Sequence, residues 1–249
     1  MDVAQTSTEV PTEIVIERRF CGPPDSGNGG YACGMVADFI DAPLAEVTLH
    51  LPPPLEAPMT IEPERNGARL VHDGNLVARG RPLADLQLAV PAPVGLSEAV
   101  VASERSPLHD SHWFPTCFVC GPERSEGDGL RIIPGPVEGR ELVAAPWTPD
   151  ESLAPDGGTV ADRYCWAALD CPSGNALMLL DDIGTSVLGT LAVRVVSDVE
   201  AGRDYVVAGW PLARDGRKVD TASVLFTADG DPAAMARARW IELRTETLT

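Results

Sequence analysis

Hydrophobic and polar positions along the chain fall into two similar series. "EIVIERRF" (13–20) alternates as a half-buried strand does, and a turn-rich "CGPPDSGNGG" separates it from an apolar helical run over 31–40. Strands are then predicted over 45–51, 59–63, 68–71 and 75–83, with Asn66-Gly67 and Asp73-Gly74 as hairpin turns. A proline-rich connector follows over 88–116. Beyond it "GLRIIPG" (129–135) and "RELVAAPWT" (140–148) read as strands, and 159–170 as a second helix. Four more strands are predicted, over 189–196, 204–212, 218–228 and 234–243, turning at Asp215-Gly216 and Asp229-Gly230.

Each half thus runs strand, Gly-Gly, helix, antiparallel meander. Superposing Asn28-Gly29-Gly30 on Asp156-Gly157-Gly158 sets the halves about half a chain apart, with the first copy trimmed. Helices on one side of antiparallel strands make an α+β layer architecture, and two copies are expected to join their sheets. The expected boundaries are 1–100 for the first unit, 101–128 for a connector carrying a CxxC, and 129–249 for the second.

Composition narrows the possible partners. With 37 acidic against 19 basic residues the net charge is −18, which opposes nucleic acids and anionic membranes. No run of about twenty apolar residues is present. The polar, acidic start "MDVAQTSTEVPTE" lacks the pattern of a signal peptide, so six reduced cysteines in the cytoplasm are expected.

Candidate chemistry begins at the first Gly-Gly. Free N–H groups at a helix start can hold an anion or a polarised carbonyl oxygen, and glycine lets a ligand approach the backbone. Tyr31, Met35 and Asp38 share one helical stripe, and Asp38 stands among Val36, Ala37, Phe39 and Ile40, an environment that raises a carboxyl pKa. Oxyanion donors beside a carboxylate are the parts that ester or thioester hydrolysis needs. The competing structural reading is plain helix punctuation and a capping Asp.

"GNGGYACGMVADF" and "GDGLRIIPG", with the duplicated halves, resemble the hotdog-fold thioesterase superfamily in its double-hotdog form. "CFVCGPERSEGDGL" is similar to the Cys-rich entry of some single-hotdog thioesterase-like proteins. The resemblance implies two tandem hotdogs, each a sheet wrapped around a central helix, packed as a pseudo-dimer. It further implies hydrolysis of an acyl thioester, acyl-CoA in kind, with no cofactor. In that carry-over Gly30 polarises the carbonyl, Asp38 acts as base or nucleophile, and Asn28 holds the polar position before the glycines. Tyr31, Gly29, Asp156 and Gly158 are the expected substrate contacts, and Asp170 reads as structural.

The second copy has Trp166 where the offset puts the equivalent of Asp38, so one functional site is expected. Arg217 and Lys218, with Arg214, make the densest positive spot and could meet the phosphates of coenzyme A. A homo-oligomer of pseudo-dimers is possible. Two alternatives remain open: a non-catalytic module binding acyl or small apolar ligands, and a hydratase or dehydratase on the same fold.

"HDSHWFPTCFVC" places His109, His112, Cys117 and Cys120 together. These are zinc-ligand types, but one CxxC with a gap of four residues to the second histidine is a weak pattern. The expectation is therefore no metal, with reduced thiols packed as small hydrophobes and a redox disulfide as a third option.

Overall fold

The computed structural model describes residues 12–154 and 157–244. Its elements in chain order are β1 (Thr12–Val15), α1 (Gly29–Ala37), β2 (Leu44–Leu49), β3 (Pro58–Glu64), β4 (Gly67–His72) and β5 (Asn75–Pro82). They continue with α2 (Leu96–Glu104), β6 (Gly135–Pro136), β7 (Val143–Trp147), α3 (Asp162–Asn175), β8 (Ser186–Val195), β9 (Tyr205–Asp215), β10 (Lys218–Thr227) and β11 (Pro232–Glu242).

All eleven strands form one antiparallel sheet, ordered β1-β3-β4-β5-β2-β8-β11-β10-β9-β7-β6. The halves meet where β2 pairs with β8, in the register Val47↔Leu191. Both residues are fully buried, so the join is part of the core. The sheet wraps around α1 and α3, which pack against each other in the middle. The fold is α+β, with two helix-wrapping sheets joined edge to edge.

Glycines allow the two helices to touch. A Cβ on Gly30 would collide with the Asp170 Cβ and lie 2.7 Å from the Trp166 carbonyl, and one on Gly34 would lie 2.6 Å from the Arg163 Cα. The small residues therefore face the other helix at close range. On the sheet side Gly209 of β9 admits the α3 backbone at Pro172.

Pro172 stands inside α3 and cannot donate to the carbonyl four residues back. Nearby carbonyls are taken by side chains instead: Ser173 Oγ donates to Asp170 O at 2.7 Å, and Ser223 Oγ to Leu169 O at 2.6 Å. The helix then tightens into a 3-10 turn over Ala176–Leu179.

Two sequence expectations are corrected. "GLRIIPG" forms no strand before Gly135: Arg131 takes a positive φ of 54°, and the N–H groups of Leu130 and Ile132 donate to the Phe118 and Val119 carbonyls rather than to a sheet neighbour. The connector contains a helix, α2, whose Ala99 and Ala102 pack with Val137, Leu142, Ala144 and Val206 of the second half. The connector's prolines, Pro91, Pro93, Pro107 and Pro115, all lie outside it, and the apolar spacing from Leu96 onward suits a short amphipathic helix. The turn expectations agree with the backbone: Asp73 and Gly74 have φ values of 48° and 76°, the two positive angles of a tight hairpin.

Candidate functional site

The first turn of α1 is capped from within. Asn28 is the N-cap, and its Oδ1 accepts the Tyr31 N–H at 2.9 Å. Its amide end reaches across to α3, where Nδ2 donates to Asp170 Oδ2 at 3.1 Å. The Gly30 N–H donates to the same oxygen at 2.8 Å. One carboxylate oxygen thus closes the start of α1, as helix dipole and free N–H groups favour.

Asp170 is almost wholly buried, and its other oxygen, Oδ1, has no hydrogen-bond partner among the described residues. Burial pushes the carboxyl up to about 7 against the Gly30 N–H, with Cys117 raising it further and Asn28 lowering it. A buried acceptor without a partner is costly unless something fills the space in front of it.

Asp170 is also one of the residues lining a cavity of about 910 Å³. It runs from Asn28, Gly29 and Asp170 past the C-terminal end of α3 to the start of β8, and its wall includes Leu177, Leu188 and Trp240. Asn175 also lines it and carries a second buried polar atom, Nδ2, without a partner among the described residues. The Gly29 N–H has no acceptor among the described residues either. One acceptor and two donors therefore border one mostly apolar space, the usual composition of a small-molecule site. Trp113, 72% exposed, and Leu51, 45% exposed, stand at its rim.

The sequence-predicted residues separate into two groups. Asn28 and Gly29 line the cavity, and Gly30 supports it from behind, its N–H already committed to Asp170 rather than free for a ligand. Asp38 lies elsewhere. It caps the far end of α1, and its Oδ2 pairs with Arg163 Nη2 at 3.0 Å. Burial raises its pKa while Arg163 lowers it. Arg163 belongs to the first turn of α3, so Asp38 meets α3 much as Asp170 meets α1, with a guanidinium where the other side has glycine.

Tyr31 is core, stacked on Phe20 at 4.2 Å between ring centroids, and burial pushes its hydroxyl to about 12. Gly158, at a φ of 114°, lies in the loop ahead of α3 and not at the cavity. Asp156 lies outside the described residues. Arg217 and Arg214 do not line the cavity but bond next to it: Arg217 Nη1 donates to Glu242 O at 3.0 Å and Arg214 Nη2 to Asp182 O at 3.2 Å, beside the lining residues Ile241, Leu243 and Asp182. Lys218 is exposed on the same turn.

Sequence reasoning passed over Asp170. The signal was present, since "CWAALDCP" sets a carboxylate in an apolar helical run more strongly than "MVADFI" does. The Gly-Gly offset misled because Gly157-Gly158 precede their helix by a loop, whereas Gly29-Gly30 begin theirs.

The cysteines also gather differently from the sequence expectation. Cys117, Cys120 and Cys171 have their sulfurs within 4.8 Å of one another, all buried, and His112 Nε2 lies 3.2 Å from Cys120 Sγ. His109 turns away to Ser103 O at 2.9 Å. The knuckle therefore keeps one of its two histidines and gains a cysteine from α3.

No protein-family model and no curated protein sequence matches this chain. Solved structures do. An acyl-CoA thioesterase II, TesB2, from Mycobacterium marinum is similar at 12% identity and a TM-score of 0.60, over 99% of this chain and 97% of that one. A hot dog fold protein of unknown function from Alicyclobacillus acidocaldarius matches at 12% identity and 0.61, covering 94% and 93%. The tesB protein of Mycobacterium avium subs paratuberculosis matches at 11% and 0.59, covering 94% and 93%. At these identities the likeness is one of fold, and the chain has the tandem hot dog fold found in thioesterases of the acyl-CoA thioesterase II type.

Proposed function

We propose that the cavity hydrolyses an acyl thioester, with Asp170 as general base. The observation that carries this reading is the buried Asp170 carboxylate on the cavity lining, fixed through Oδ2 by Asn28 and the Gly30 N–H, with its Oδ1 left without a partner among the described residues. A water held by Oδ1 would attack the thioester carbonyl carbon while its proton passes to Asp170. The carbonyl oxygen, gaining negative charge, would be met by the Gly29 N–H and Asn175 Nδ2. Collapse of the tetrahedral intermediate breaks the C–S bond. The leaving thiolate takes the proton back from Asp170, giving acid and free thiol. Asn28 acts as a positioning residue, fixing both the helix start and the carboxylate.

The substrate is read as an acyl-CoA. The apolar wall suits an acyl chain, and the turn with Arg217 and Lys218 beside the cavity offers cations to a phosphorylated tail in an otherwise acidic molecule. The names of the fold relatives agree with this reading. Asp38 and Gly30, the roles that the resemblance implied, give way here to Asp170 and Gly29.

Thiol release from a panel of short to long acyl-CoA esters tests the assignment. Asp170→Asn should lower kcat by about a hundred-fold or more, the range typical of a lost general base. Asp38→Asn should leave it within about two-fold. Undiminished turnover in Asp170→Asn, with the Asp38 variant inactive, would overturn the assignment.

A further inference from the structure

The thiols beside Asp170 line the same cavity but have no step in that hydrolysis. The turn "CFVCG" folds as a tight knuckle. The Gly121 N–H closes it on Cys117 O at 2.9 Å, and a Cβ at Gly121 would fall 2.5 Å from the carbonyls of Cys117 and Pro115. Only glycine permits that turn, and it aims Cys117 and Cys120 at one point. Cys171 supplies a third sulfur from α3, with Cys117 Sγ and Cys171 Sγ 3.7 Å apart. His112 stands beside Cys120 Sγ.

We propose that Cys117, Cys120 and Cys171 hold one Zn²⁺ ion, with His112 turning in from beside Cys120 as the fourth ligand of a closed tetrahedral site that fastens the connector to α3. Zinc–sulfur bonds of about 2.3 Å at tetrahedral angles put two sulfurs about 3.8 Å apart, close to the spacing of Cys117 and Cys171. Three soft thiolates and an imidazole select zinc over magnesium or calcium. Asn28 Nδ2 lies 3.7 Å from Cys171 Sγ and 4.0 Å from Cys117 Sγ, a donor placed as outer partners of metal thiolates are. Packing as small hydrophobes does not account for three sulfurs turned toward each other and toward an amide donor.

Binding has two proton consequences. The three thiols release their protons to solvent as they become ligands. His112 Nδ1 accepts the Phe114 N–H at 2.9 Å, which leaves the neutral ring's proton on Nε2. Ligation through Nε2 moves that proton to Nδ1, so the Phe114 N–H turns away.

The test is elemental analysis of the full-length protein, purified reduced and without chelator. About one zinc per chain is expected, lost in Cys117→Ser and Cys171→Ser and kept in Cys33→Ser, which alters a buried cysteine of α1 outside the cluster. His112→Gln should bind zinc more weakly, by about ten-fold or more. Should a serine variant fail to fold, wild-type protein stripped by chelator and reloaded with Co²⁺ should show sulfur-to-metal charge-transfer bands and intense tetrahedral visible bands. Folded, reduced protein that takes up neither metal overturns the site. So does zinc retained by Cys171→Ser, zinc affinity unchanged by His112→Gln, or a Cys117–Cys171 disulfide in the unreduced protein.

Discussion

Asp170 shows how much depends on one side chain's surroundings. A carboxylate in a folded interior is stabilised by donors, and here two donors converge on a single oxygen while the other is left bare. Gly30 makes this geometry possible twice over, by supplying the N–H and by having no Cβ where the Asp170 side chain lies. Gly30→Ala should therefore force the helices apart, at a cost of about 1–3 kcal/mol, read as a lower denaturation midpoint. Turnover should fall as well, since the same displacement disturbs the Asp170 bond. The sequence marked the Gly-Gly pair as functional ground, but a glycine's partner across a helix crossing cannot be read from local pattern. The carboxylate that meets the Gly30 N–H lies 140 positions away.

At the scale of elements, the strands were readable wherever one face is buried. Pro232–Glu242 alternates small buried alanines with outward arginines, and that period sets both the strand and its register. The outward face carries its own ladder: Asp220 of β10 accepts from Arg239 Nε at 2.7 Å and pairs with Arg237 at 3.3 Å across to β11. The Arg239 hydrogen bond, aided by both arginine charges, holds the Asp220 carboxyl below the usual carboxylate range. A folded-state pKa depressed in this way stabilises the protein above the unfolded value near 4, and that contribution is lost as pH falls through the folded pKa. Asp220→Asn should thus be less stable than the parent at neutral pH, by at most about 1 kcal/mol for so accessible a network. The difference should shrink to nothing in acid, as denaturant titrations at several pH values would show. Helix α2 was missed because proline density was read as connector throughout, when the prolines lie on either side of it and none within it.

The whole molecule is one sheet with two helices enclosed, and its pseudo-symmetry is broken at the chemistry. Where α1 begins with glycines facing Asp170, α3 begins with Asp162 and Arg163 facing Asp38, and the ion pair fills the space. Among the described residues no helix is long and apolar enough to cross a membrane. The net charge of −18 repels an anionic ligand at long range, so the basic turn beside the cavity has to work locally. Arg217→Ala with Lys218→Ala should raise KM for an acyl-CoA by about five-fold, the effect of losing about 1 kcal/mol of partly exposed ionic contact. The KM for the matching thioester of a short uncharged thiol should not move, and kcat should hold for both. Equal shifts for both esters would place the nucleotide tail elsewhere.

The sequence by itself determined the strand faces, the hairpin turns, the duplication and, through its resemblance, the fold class. These depend on periodicity and turn chemistry, which act over a few residues and leave a direct mark on the chain. Only the tertiary structure decided which carboxylate meets which helix start, and which cysteine completes the knuckle. Asp170 approaches Gly30, and Cys171 approaches Cys117, because two helices cross at glycines and a connector folds back over their end. Contacts of that kind are set by the packing of distant segments, and no spacing within either segment encodes the distance between them.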